Sequence, residues 1–90
     1  MTDTEKESLL EFPCSFPVKV MGRDQESFRR IAVEIVARHA GKLAQDAVTE
    51  SSSRKGNFVS ITITIQAKSQ DQLDRLYNDL SSHDEILVAL

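Results

Sequence analysis

The sequence predicts an α+β sandwich, a four-stranded antiparallel sheet with two helices on one face. Three observations carry that expectation. Val59 to Gln66 alternates apolar and polar uncharged residues, the period of a strand that buries one side only. Two further stretches, one from Gln25 and one from Ser69, place apolar residues at three- and four-residue spacing, as helices with a single buried face do. Ninety residues leave room for one modest core, so both helices must cover the same sheet.

Taken in order, residues 1–10 are expected to form a flexible leader that folds back through Leu9, Leu10 and Phe12, with the single domain at 11–90. Pro13 and Pro17 hold the chain extended, and the alternation around Val18 and Val20 predicts a first strand from Phe16 to Met21. Gly22 is expected to break that strand and Asp24 to cap the following helix. From Gln25 to Ala40, Phe28, Ile31, Ala32, Ile35 and Val36 share a face, with Glu26, Arg29, Arg30, Glu34 and Arg38 on the wet side. Burying Phe28, Ile31 and Ile35 is worth on the order of 2 kcal/mol each. The pairs Glu26–Arg30 and Glu34–Arg38 have the i, i+4 spacing of surface support, and Gly41 is a stop signal.

Residues 43–50 are less regular and suit a solvated edge strand, and Ser51 to Asn57 has the composition of a hairpin loop. The alternating strand comes next. Ser69-x-x-Gln72 spells a capping box, which predicts a helix whose core face is Leu73, Leu76, Tyr77 and Leu80. Ser81 to Asp84 ends it, and Ile86 to Leu90 predicts a last strand that is apolar on both faces. The order is βαββαβ. With right-handed crossovers this is the ferredoxin-like sandwich, its first and third strands central and its second and fourth at the edges.

Composition narrows the function. Eleven Lys and Arg against fourteen Asp and Glu give a net charge of −3, which argues against a general nucleic-acid binder. No apolar run approaches the roughly 18 residues of a membrane span, and residues 1–11 lack the pattern of a signal peptide. A cytoplasmic setting is expected, in keeping with the lone Cys14. One Cys and two distant His offer too few ligands for a zinc site. No cofactor is expected.

Phe12-Pro13-Cys14-Ser15-Phe16-Pro17-Val18-Lys19-Val20-Met21-Gly22 resembles the N-terminal signature of the YbeD-like family of small bacterial proteins. A second signature, Ser52 to Thr62, agrees with it. The resemblance implies a ferredoxin-like fold similar to the regulatory ACT domains, and hence a regulatory or ligand-sensing role. In ACT-type domains the turn after the first strand helps to bind an amino acid, often through a Pro-Gly pair after an acidic residue. Here Gln25-Glu26 follows Asp24, so that pair is missing.

The candidate ligand site is Gly22, Arg23 and Asp24. A glycine there allows a positive φ and close approach, and a helix N-terminus with an arginine suits a small anion. The candidate partner surface is Lys19, Arg54, Lys55, Asn57, Phe58 and Thr62. An RNA-recognition module would need aromatic rings on alternate positions of the third strand, and only Phe58 is aromatic there. His39 and His83 have no motif-like neighbours, and no acid, base and nucleophile come together, so no enzyme is expected. The expectation is a non-enzymatic regulatory or binding domain that senses a small anionic metabolite or docks a protein. The last strand, apolar on both faces, needs a cover, and either the leader around Leu9 to Phe12 or a second subunit in a homodimer is expected to supply it. RNA binding through the 54–58 hairpin is the alternative.

Overall fold

The structure, a computed structural model, describes residues 11–52 and 56–90. Strand β1 (Cys14–Arg23) leads into helix α1 (Glu26–Ala40). A 3-10 turn (Gln45–Ala47) enters strand β2 (Val48–Ser52), followed by β3 (Phe58–Ala67), helix α2 (Gln70–Ser81) and β4 (Val88–Ala89). The sheet order is β2-β3-β1-β4 with all pairs antiparallel. This is the ferredoxin-like sandwich, with its first and third strands at the centre.

The alternation of β3 does what its period demands. Val59, Ile61, Ile63, Ile65 and Ala67 are all buried, while Phe58, Thr64 and Gln66 are exposed. Val18 and Val20 of β1 join them from the neighbouring strand. Phe28, Ala32, Ile35 and Val36 of α1, with Leu73, Leu76 and Leu80 of α2, close the core from above. Ile31 and Tyr77 are partly buried at its margin.

Four local expectations need correction. Gly22 does not end β1: the strand continues to Arg23, with Gly22 opposite Val59 and without a positive φ. Its missing side chain serves packing instead. A Cβ there would lie within 2.5 Å of the Phe28 ring and 2.7 Å from the Glu85 carbonyl oxygen. Asp24 is not the helix cap. Gln25 holds that position, without a side-chain bond to the helix, and Asp24 pairs with Arg29 at 2.8 Å. Arg29 also donates to Glu50 at 2.9 Å, so one guanidinium ties the β1–α1 turn to β2. These two partners, Glu50 first, raise the Arg29 pKa further above its ordinary value. Arg38 reaches Asp79 on α2 instead of serving only its own helix. Finally, β4 is two residues long instead of five, because Ile86 turns into the core at 7% exposure.

Pro17 in the middle of a central strand also has a physical account. Lys19 and Leu90 exchange both backbone hydrogen bonds, so the odd-numbered residues of β1 direct their N–H and C=O groups toward β4. Pro17 lacks its N–H on that same side, where the β4 pairing, confined to Val20 and Met21 within the strands, has ended. No ladder bond is lost, and the exposed part of the β1 edge is blunted against pairing.

The helices are joined at one end by a polar clamp. Ser69 Oγ accepts from the Gln72 N–H at 3.1 Å, as the capping box requires. Gln72 Oε1 accepts from the Lys68 N–H, and its amide donates to the His39 carbonyl at the end of α1. His39 Nε2 lies 2.9 Å from Asp79 Oδ2, to which Arg38 donates at 3.0 Å. The His39 bond, helped by Arg38, holds the Asp79 carboxyl below its ordinary 3.8. A carboxyl depressed by folding contributes stability that is present above its unfolded pKa and lost as pH falls through its folded pKa. Asp79→Asn is therefore expected to cost up to about 1 kcal/mol at neutral pH and to flatten the acid limb of the stability curve below about pH 4. Thermal unfolding of both proteins across that range checks it. An acid limb that is the same in both would assign it to another carboxylate.

Candidate functional site

The two faces of the sheet differ because successive side chains along a strand point to opposite sides. One face lies under the helices. On the other, the register sets Lys19 beside Thr62, Met21 beside Ser60, and Arg23 beside Phe58. On the other flank of β1, Val88 pairs with Met21 and Leu90 with Lys19. The result is a corner of Met21, Val88 and Leu90 next to rows of Ser and Thr. Phe58, Val88 and Leu90 are 39%, 41% and 64% exposed. Met21, Ser51, Phe58 and Ser60 line a shallow depression of about 160 Å³ on this face.

Lys19, Phe58 and Thr62 of the expected partner surface thus share the open face. Asn57 stands at its end, where its carbonyl accepts from the Asp24 N–H at 3.1 Å. Arg54 and Lys55 lie outside the described residues. Gly56, with φ at 75°, turns the chain into β3. The Arg23 guanidinium sits 5.9 Å from the Phe58 ring centroid, within range of a cation–π contact.

The expected ligand residues are arranged differently. Gly22 is buried beneath Phe28, and Asp24 is committed to Arg29. Arg23 lines a cleft of about 280 Å³ with Gln25, Asp84, Glu85 and Leu87. Glu85 reaches the first turn of α1, where it accepts from Ser27 Oγ at 2.6 Å. The helix N-terminus that would greet an anion is therefore already flanked by the protein's own carboxylates. A second, wider cleft of about 480 Å³ separates the end of α1 from the start of α2. Of its lining, Arg38 is paired with Asp79, Arg75 with Asp71 and Gln72 with the His39 carbonyl, and Lys68 lines it as well.

Among the described residues no three His, Cys, Asp or Glu are grouped to hold a metal ion. Cys14 is free and partly buried. Burial raises the Tyr77 pKa, and its hydroxyl donates to the Leu90 carbonyl at 2.6 Å, fastening β4 to α2. Among the described residues no helix is long and apolar enough to cross a membrane.

Sequence reasoning had placed Lys19 and Met21 on one strand and an apolar run at the chain's end. It missed that Val88 and Leu90 lie beside them. The signal was the parity of the last strand relative to the first, which only the observed register settles.

A family model described as "Protein of unknown function (DUF493)" matches residues 7–90. A UPF0250 protein of Leptothrix cholodnii is 43% identical over 91 residues, covering all of both chains. One from Neisseria gonorrhoeae is 41% identical with the same coverage. One from Nitrosomonas europaea is 41% identical over 94% of this chain and 98% of its own length. Among solved structures, the solution structure of protein HP0495 from H. pylori superposes with a TM-score of 0.63. It covers 90% of this chain and 85% of that one at 14% identity, a likeness of fold alone.

Proposed function

The chain belongs to the DUF493 family of proteins of unknown function, and we propose that it is a non-enzymatic domain whose open sheet face docks a protein partner. The observation that carries this is the apolar corner of Met21, Val88 and Leu90, left uncovered among the described residues on the face away from the helices. A contiguous apolar patch ringed by polar residues is what a monomeric surface avoids and an interface uses.

Two other forms of the proposal have less support. Sensing of a small anionic metabolite at Gly22, Arg23 and Asp24 would have to overcome Asp84 and Glu85 in the same cleft. RNA binding would need more stacking rings than Phe58 alone provides. A homodimer through the same face remains a form of docking. We place the domain in the cytoplasm, in keeping with the free thiol of Cys14.

The test is photo-crosslinking in living cells, with a benzophenone amino acid at Thr62, at Val88 and, as a control, at Arg75. Arg75 lies on the outer surface of α2 and is 73% exposed. The expected result is a discrete adduct with another protein from the first two positions and none from the third. An adduct of twice the chain's own mass would make the partner a second copy. No adduct from either sheet position would end the docking proposal.

A further inference from the structure

We infer that the partner offers an extended segment of alternating apolar and acidic residues, added as a strand along the edge of β4, which has no neighbouring strand on that side among the described residues. The inference rests on the docking proposal above and names the chemistry of its partner.

The edge comes first. β4 ends the sheet order. Leu90 gives both of its backbone groups to Lys19, so Ala89, one residue away, turns its N–H and C=O outward. A strand laid roughly 4.8 Å beyond β4 would meet those groups and continue the sheet. Every second side chain of that strand would then lie beside Val88 and Leu90 on the open face, where Leu87 at 49% exposure adds apolar surface at the edge.

Charge sets the composition. The chain carries fourteen carboxylate side chains, yet among the described residues the register places none on the open face of β1 and β3. The charged groups there are Lys19 and Arg23, both exposed. The two ends of the edge are unlike. Arg23 shares its cleft with Asp84 and Glu85 just before β4, whereas Lys19 stands opposite Leu90 at the other end. A carboxylate of the segment is therefore favoured near Lys19. Each exposed pair is worth less than about 1 kcal/mol, so the charges select the partner while main-chain bonds and apolar contacts hold it. A nucleic acid suits this site less well, because aliphatic Met21, Val88 and Leu90 occupy the places where stacking rings would be needed.

The probe is a displayed library of random twelve-residue peptides, selected on the intact protein and on Lys19→Glu. Peptides enriched on the native protein should alternate aliphatic residues with Asp or Glu, and selection on Lys19→Glu should turn those acids into Lys or Arg. The consensus peptide should shift the amide signals of residues 87–90 and 19–21. Ala89→Pro removes the outward N–H and no bond to β1, so it should weaken binding at least tenfold while leaving the remaining amide spectrum native. Enrichment of neutral or basic peptides, or of none, would overturn the inference. So would a twelve-residue oligouridine that binds where the peptides do not. If crosslinks still form at Thr62 and Val88 in those cases, docking stands and only the partner's chemistry falls. If crosslinks fail as well, both fall.

Discussion

Gly22→Ala is expected to destabilise the domain by about 3 kcal/mol, at the upper end of the cost of overfilling a packed core. The position is an ordinary strand residue opposite Val59, so the loss has nothing to do with backbone conformation. It comes from space. The new methyl would press on the Phe28 ring and on the Glu85 carbonyl oxygen. The ring belongs to the first turns of α1, and the carbonyl to the segment leading into β4. Relief requires one of them to move. For a domain of this size the melting temperature should fall by more than about 10 °C. Phe28→Leu alone should cost about 1 kcal/mol. In the double variant the leucine leaves room for the methyl, so the losses should be non-additive by more than about 1 kcal/mol. Strict additivity in chemical denaturation would show that the Glu85 carbonyl, and not the ring, is the obstacle.

The same residue shows where sequence reasoning stops. A glycine followed by an aspartate reads as a strand end and a helix cap, since turns and caps favour those residues. A glycine beneath an aromatic ring has the same local signature, and only the path of α1 over the sheet separates the two. Asp24 departs from the cap role for a related reason: Arg29, five residues on, takes its carboxylate. The end of the chain was half legible. Five apolar residues promised a strand, but whether Ile86 serves the ladder or the core depends on how α2 hands the chain back to the sheet. By contrast the Ser69–Gln72 box was readable because its partners are local. Of the candidate site, Lys19, Phe58 and Thr62 could be assigned to one face by counting in twos. Their juxtaposition with Val88 and Leu90 could not, because parity within a strand does not fix register between strands.

Ile61 and Thr62 put that counting rule to its sharpest test, because they are adjacent in sequence and differ in almost everything else. Ile61 is 1% exposed at the centre of β3, opposite Val20 on one flank and Glu50 on the other. Ile61→Ala removes buried aliphatic carbons and leaves a cavity that two rigid neighbouring strands cannot close, so a loss of about 3–4 kcal/mol is expected. Thr62 points to the open face beside Lys19 and Thr49. Thr62→Ala gives up some strand preference and no core contact, so its cost should stay at or below about 1 kcal/mol. The functional readouts should invert. Ile61→Ala, held at a temperature where it is folded, should keep whatever partner the sheet face captures, because its side chain lies on the other side of the sheet. Thr62→Arg, with its bulk and added charge beside Lys19, should lose that partner while melting near the native temperature. Equal thermal losses at the two positions would mean that the face opposite the helices is covered in solution, and the docking surface would have to be sought elsewhere.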